Sequence, residues 1–342
     1  MRKRLSLGLL VAAVGLGCGS RTPPAAAPAA PAPPATSAAV PVPAKGPDGW
    51  LTTLDQGHPL VGKIYDTANV RLRDERWLFA AVDQADFILL GEQHDNPDHH
   101  RLQAKLVAAV VHAGLRPTVA LEMLEPDDDA IVSRYRAEPG ATAAGLGPAL
   151  AWEKSGWPPW AEYQPIADVA FQAGLPLVSA NLPRALVRSI AHEGVLALPP
   201  GDVARLGLDQ PLAPATESAL EDELRGSHCG QLPEKMVAPM ALAQRARDGQ
   251  MASRMLSFQG KVFLVAGAGH ARTDRGVPAR LRAARPDAKI LSIGFVEVDA
   301  SKTTPDSYAA RFGAVRLPFD FVWFTPRAKD DDPCAGFHIH HP

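Results

Sequence analysis

Unbroken apolar runs alternate along the chain with segments whose apolar residues recur every three or four positions. Phe87-Ile88-Leu89-Leu90 ends at Gly91, and Thr118-Val119-Ala120-Leu121 ends at Glu122. The run from Pro176 to Ala180 ends at Asn181, and Val262-Phe263-Leu264-Val265-Ala266 ends at Gly267. Ile290 to Val296 is a fifth run and Phe319 to Phe324 a sixth. Runs that do not alternate suit parallel strands covered on both faces. Between them lie helical patterns. Asn96 is placed to cap a helix that starts at Pro97, carries Leu102, Leu106, Val110 and Ala113, and closes at Gly114. Further helices are predicted over Ala161 to Ala173, Pro183 to Glu193 and Glu234 to Phe258. Strand–helix–strand repetition predicts an α/β fold with a mainly parallel sheet and helices on both faces. The folded domain is expected over 48–328, with a helical insertion at about 194–232 where no strand pattern occurs.

The ends read differently. Arg2, Lys3 and Arg4 precede a short apolar stretch from Leu5 to Leu16, which is the pattern of a secretory signal over 1–17. Gly17-Cys18 then resembles a lipidation site on Cys18; cleavage with Cys18 a bystander is the alternative. Residues 18–47 hold nine Pro and ten Ala, a composition that favours an extended linker and cannot build a core. The expected location is the bacterial cell envelope, as an outer-membrane lipoprotein facing the periplasm or the surface. The tail, 329–342, is expected to be disordered, although its His338, His340 and His341 are of a type that catches metal ions.

Composition narrows the class. Of the 342 residues, 46% are hydrophobic and 21% charged, which excludes a wholly disordered or polytopic membrane chain. Lys and Arg number 35 against 37 Asp and Glu, so no basic excess points to nucleic acid. Three cysteines exclude a dense disulfide scaffold. In an oxidising compartment Cys229 and Cys334 are free to pair, but their separation in sequence does not decide whether they meet.

The chemistry collects at the strand ends. In an open parallel sheet, ligands sit beyond the carboxyl ends of the strands. Four runs lead there into Glu92 and His94, Glu122, Asn181, and His270. Carboxylates and imidazoles together suit a divalent transition metal, or a metal-free acid–base pair that activates water. Gly91, Gly267 and Gly269 allow sharp turns and close backbone approach. His99 and His100 fall in the first turn of a helix, with one of them in reach of the cleft. His58, His112 and His192 are expected at the surface.

The order of these segments resembles the ChaN-like family of haem-binding, iron-regulated bacterial lipoproteins. The resemblance rests on Gly91-Glu92-Gln93-His94-Asp95-Asn96 with His99 and His100, Leu121-Glu122-Met123, Trp160-Ala161-Glu162-Tyr163 and Ala180-Asn181. It continues through His228-Cys229-Gly230, Ala243-Gln244, Arg247-Asp248 and Met251-Ala252 to Ala266-Gly267-Ala268-Gly269-His270, Asp274, Gly276-Val277-Pro278 and Leu281. It covers about residues 58 to 298. The wider group includes the Tiki/TraB proteins and the erythromycin esterases. In Tiki members two Gly-x-x-His motifs and a Glu imply a metal-dependent peptidase. Here they fall on Gly91 to His94, Gly267 to His270, and Glu122.

The resemblance implies haem as cofactor and an envelope protein that serves haem or iron acquisition or storage. Haem iron takes an axial His, Met or Tyr in an apolar slot. Tyr163 is the favoured Tyr ligand, with His228 or His94 as a second or distal group. The helix carrying Met236, Met240, Met251 and Met255 reads as packing. Binding shared between two copies in a homodimer is expected, and membrane association runs through the lipid on Cys18. The alternative is a metal-dependent or Glu/His-dependent hydrolase that uses Glu92, His94, Glu122 and His270.

Overall fold

The computed structural model describes residues 49–330 and Cys334. The signal-like stretch, Cys18, the Pro/Ala-rich linker and the tail histidines lie outside the described residues. In chain order the elements begin β1 (Ile64–Asp66), β2 (Arg71–Arg73), α1 (Glu75–Gln84), β3 (Phe87–Glu92), α2 (Pro97–His112) and β4 (Thr118–Leu121). Next come α3 (Asp128–Arg136), α4 (Ala143–Ala149), α5 (Trp160–Ala173), β5 (Leu177–Ser179) and α6 (Arg184–Glu193). The last are α7 (Asp202–Arg205), α8 (Pro214–Ser227), α9 (Glu234–Leu256), β6 (Val262–Gly267), α10 (Ala268–Ala271), α11 (Gly276–Ala284), β7 (Ile290–Glu297) and β8 (Phe321–Thr325).

All six apolar runs form strands of one eight-stranded sheet, in the order β2-β1-β8-β7-β3-β6-β4-β5. From β8 to β5 every pairing is parallel; β1 joins β8 antiparallel and β2 joins β1 antiparallel. The edge hairpin β1–β2 has no counterpart in the sequence reading, because three-residue strands are too short to show a period. Successive residues of a strand enter opposite cores. Ile88, Leu90, Phe263 and Val265 pack with α2 and α5 on one face. Phe87, Leu89, Leu264 and Ala266 pack with α9 and α11 on the other. Fully burying each such side chain contributes about 1.5–3 kcal/mol.

The connections fix where a ligand belongs. From β3 the chain runs through α2 to β4, on one side of β3 in the sheet. From β6 it runs through α10 and α11 to β7, on the other side. Paths that leave neighbouring strands in opposite directions open a crevice at their carboxyl ends. That crevice lies between β3 and β6, whose pairing runs from Phe87 opposite Val262 to Glu92 opposite Gly267.

Local signals place the elements that flank it. Asn96 caps α2, its side chain accepting from the Asp98 N–H at 3.0 Å, with Pro97 at the first position. Asp98 in turn accepts from the Thr52 N–H at 2.8 Å and the Thr52 hydroxyl at 2.7 Å, which ties the start of the domain to α2. β3 continues through Gly91 to Glu92 because Gly91 lies against α10: a Cβ there would sit 2.8 Å from that of Ala271. Residues 194–232 carry a 3-10 turn, α7 and α8. They pack on α6 and α9 through Leu206 against Ala243 and Ala246, and through Leu220 and Leu224 against Ala241.

Cys229, just past α8, forms a disulfide with Cys334, with Cα atoms 5.4 Å apart at a sequence separation of 105. Within the expected tail, Lys329 pairs with Asp95 at 2.8 Å and Asp330 pairs with Arg327 at 2.9 Å, so its first residues are fastened to the domain. Replacing both Cys229 and Cys334 by Ser is expected to cost about 2–4 kcal/mol, since the bridge closes a long loop. The denaturation midpoint under non-reducing conditions reads this; an unchanged midpoint would show that the pair contributes nothing.

Candidate functional site

Two buried carboxylates organise the crevice. Glu92 is the last residue of β3, and Glu122 directly follows β4; each is 2% exposed. Ionised carboxylates tolerate such burial only when charges and donors replace water. For Glu92, Oε1 accepts from His94 Nδ1 at 2.9 Å and from the Tyr163 hydroxyl at 2.8 Å, and Oε2 accepts from Gln103 Nε2 at 2.6 Å. His100 Nε2 lies 3.4 Å from the same Oε1, at ion-pair distance. For Glu122, Oε2 accepts from the Gly267 N–H at 2.7 Å, and Oε1 pairs with Arg247 and lies 3.5 Å from His270 Nε2.

His94 bridges the two. Its Nδ1 is held by Glu92, and its Nε2 lies 4.0 Å from Glu122 Oε2. The ring rests against Trp157, centroid to centroid 4.8 Å, and a third of the side chain is exposed to the cleft. Gly267 makes this position available, because a Cβ there would meet Nε2 at 2.9 Å. On the far wall His270 Nδ1 donates to Asp248 at 2.6 Å, which turns its Nε2 toward Glu122. Asn181 donates to the Glu122 carbonyl at 3.0 Å and accepts from Arg247 Nε at 3.1 Å.

These contacts set the protonation states. Burial alone would raise Glu92, but His100 and His94 hold it far below the usual carboxylate range. Glu122 is likewise raised by burial, yet His270, Arg247 and His94 bring it down to about 2. Burial would lower His94, but the hydrogen bond to Glu92 and the charge of Glu122 lift it to about 9. His99 is buried beside His100 and falls to about 3, so it stays neutral; it accepts from the Gln93 N–H at 2.9 Å and meets the Thr325 hydroxyl at 2.9 Å.

The cleft above these groups holds about 350 Å³. Leu224 and Ser227 of α8, Phe295 and Val296 of β7, and Phe312 line it together with His94, Arg247 and His270. The sequence reading thus places Glu92, His94, Glu122, Asn181 and His270 at one rim, as the structure does.

Other expectations change. Tyr163 is 1% exposed, stacks on His100 with centroids 4.0 Å apart, and gives its proton to Glu92. Burial and Glu92 push its phenol well above the usual range, so in the free protein it is a protonated donor that supports Glu92. His228 caps the C-terminus of α8, its Nδ1 2.8 Å from the Leu224 carbonyl, beside Ser227 at the cleft wall. The alternative metal set His94, His270, Glu92 and Glu122 gains no support. Among the described residues no group of three or more His, Cys, Asp or Glu is arranged to hold a metal ion. The cation beside Glu122 is the Arg247 guanidinium, and its second oxygen is taken by backbone. The three glycines serve by lacking a side chain, since none of Gly91, Gly267 and Gly269 has a positive φ.

Gln103 and Glu223 escaped the sequence reading, and Asp248 entered it only within the resemblance, with no role of its own. A signal existed on α9, where Gln244, Arg247, Asp248 and Met251 share one helical face and three of them are polar. Likewise His99, His100 and Gln103 interrupt the buried face of α2.

Residues 78–281 match the family described as haem-binding uptake, Tiki superfamily, ChaN. No curated protein matches the chain. Among solved structures, cofacial haem binding to ChaN of Campylobacter jejuni describes one that is 23% identical, with a TM-score of 0.59, covering 76% of this chain and 95% of that one. It supports the fold. The type III effector HopBA1 is 14% identical with a TM-score of 0.39, covering 73% of this chain and 91% of that one. An erythromycin esterase, EreC, in its open conformation is 14% identical with a TM-score of 0.37, covering 67% and 75%. These two likenesses are too low to carry an argument.

The shifted histidines give stability an optimum. His94, raised from 6.5 to about 9, contributes stability that is full below 6.5 and lost as pH rises through 9. His99, lowered from 6.5 to about 3, contributes stability that is full above 6.5 and lost as pH falls toward 3. Urea midpoints are therefore expected to peak near pH 6.5. His94→Gln should flatten the alkaline limb and His99→Gln the acid limb; a profile unchanged in either variant would contradict these protonation states.

Proposed function

The chain belongs to the haem-binding uptake family of the Tiki superfamily, ChaN, and from that premise we propose that it is a haem-binding envelope lipoprotein, anchored through Cys18, that serves haem or iron acquisition or storage. The observation that carries the haem site is the set of donors at the crevice. His94 stands at the cleft with Nδ1 held by a buried carboxylate, the arrangement that orients a metal-ligating imidazole; as a ligand it would be neutral, having given up the Nε2 proton it carries in the free protein. Phe312, with Leu224 of α8, gives the cleft an apolar wall for a porphyrin edge. Bound haem supplies the iron chemistry; this chain fixes the ligand, excludes water and neutralises charge. His228, at the end of the helix that walls the cleft, is the second iron-ligand candidate.

At about 350 Å³ the cleft sits at the low end of ligand pockets, about 300–1,000 Å³. A haem would be only partly enclosed, with one face left open. A second copy covering that face accounts for the homodimer, in keeping with the cofacial haem binding described for the Campylobacter jejuni protein.

One observation favours a second reading. The Asp248–His270 pair aims an imidazole at Glu122, as a general base is held in a hydrolase. On that reading His270→Ala abolishes hydrolysis and leaves haem binding intact.

Haem titration of the chain from residue 48 onward separates the two. A saturable Soret band is expected, weakened at least about tenfold in His94→Ala, the equivalent of about 1.4 kcal/mol. Tyr163→Phe is expected to keep the band while losing about 1–3 kcal/mol of stability, because Glu92 loses a buried donor. A band lost in Tyr163→Phe but kept in His94→Ala would restore the tyrosine as ligand. No saturable band in the unmodified chain would remove the haem reading.

A further inference from the structure

Two arginines beside the cleft are buried far more deeply than their role in the site so far explains. Arg272 is 0% exposed and Arg275 is 5% exposed. Both direct a guanidinium nitrogen at the same atom, Oε2 of Glu223 on α8: Arg272 Nη1 at 3.0 Å, and Arg275 through Nη2. Arg272 is otherwise satisfied by Asp274, bidentate at 3.0 and 2.7 Å, and by the Phe312 carbonyl at 2.7 Å. Asp274 therefore balances one of the two positive charges, and Glu223 balances the other.

Glu223 differs from the other cleft carboxylates. Glu92 and Glu122 are locked on the sheet by buried donors. Glu223 lines the cleft, and its side chain is 38% exposed. Its second oxygen, Oε1, lies over Gly269, where a Cβ would stand at 3.1 Å. A rotamer change on α8 is enough to carry it into solvent. What remains is a socket with one uncompensated positive charge between two preset guanidiniums, roofed by Phe312, whose ring centroid is 6.0 Å from the Arg272 guanidinium carbon.

We propose that Arg272 and Arg275 form a carboxylate-binding subsite of the cleft, that Glu223 occupies it in the free protein, and that a ligand carboxylate takes its place. The exchange replaces one carboxylate by another, so the buried charge stays balanced and no unpaired guanidinium is created. The guanidinium fork matches a carboxylate in geometry as well as charge. Resting on the haem reading above, the inference assigns a haem propionate to this subsite. Arg247 is committed to Glu122 and Asn181, and Arg311 is exposed and bonded to Gln93, so neither offers an equally desolvated socket.

The test compares haemin with haemin dimethyl ester, whose propionates carry no charge, by absorbance titration of the full chain. The wild type is expected to bind haemin at least about tenfold more tightly than the ester, the least that a charge-assisted hydrogen bond supplies. Arg275→Gln is expected to bring haemin affinity down to that of the ester without changing the ester. Glu223→Gln, which removes the competing carboxylate, is expected to tighten haemin and leave the ester unchanged. Equal binding of haemin and ester by the wild type would overturn the subsite while upholding haem binding. A preference that survives in Arg275→Gln would place the propionates elsewhere and overturn it too. If neither compound binds, the haem reading falls and the subsite with it. Should Arg275→Gln fail to fold, Glu223→Gln decides alone, and no gain in haemin affinity there counts against the proposal.

Discussion

Two ionised carboxylates, both buried at the carboxyl end of a parallel sheet and bridged by His94, are the constraint around which the rest of the site is built. Glu92 and Glu122 carry charge in a place where each would otherwise be neutral. Keeping that charge requires cations and donors from every element that packs there. α2 supplies His100 and Gln103, α5 supplies Tyr163, α9 supplies Arg247, the end of β6 supplies the Gly267 N–H, and α10 supplies His270. Each of these contacts also fixes the position of the element that makes it. The carboxylates therefore hold α2, α5 and α9 in register with the sheet as well as setting the chemistry.

Topology explains why the charges stand where they do. β3 and β6 are neighbours whose outgoing connections diverge, and the opening between them is the natural place for a ligand. His94 leaves the end of β3 and leans over Gly267 at the end of β6, so it spans that opening. It is held on one side by Glu92 and faces Glu122 on the other, and it is the member of the rim with a third of its side chain exposed. The insertion carrying α8 closes one wall, and the disulfide from Cys229 to Cys334 secures its far end. The same wall brings Glu223 over two buried guanidiniums, the proposed carboxylate subsite.

Much of this was legible in the amino-acid order. Apolar runs without alternation marked the six parallel strands, and Asn96-Pro97 marked the start of α2. Polar residues directly after the runs marked Glu92, Glu122, Asn181 and His270, because strand periodicity stops where the sheet meets its ligand face. Three things were hidden. The β1–β2 hairpin is too short to carry a period. The role of Tyr163 depends on which way α5 turns it, and a Trp-x-x-Tyr segment reads the same for a ligand and for a core donor. Asp248, Gln103 and Glu223 lie on helices remote in sequence from the groups they touch, and their partners are defined only by tertiary packing. Cys229 and Cys334 were visible as candidates, but only the fold brings their Cα atoms to 5.4 Å.

The account turns on His94: the buried carboxylate network holds one imidazole at the cleft, and that imidazole is the proposed ligand of haem iron. Pulsed electron paramagnetic resonance of the ferric haem complex, prepared with ¹⁵N-histidine, reads that contact directly. The account predicts a strong coupling to one imidazole nitrogen that disappears in His94→Gln while the protein remains folded. The same coupling undiminished in His94→Gln, or no histidine nitrogen coupled to the iron at all, would contradict it.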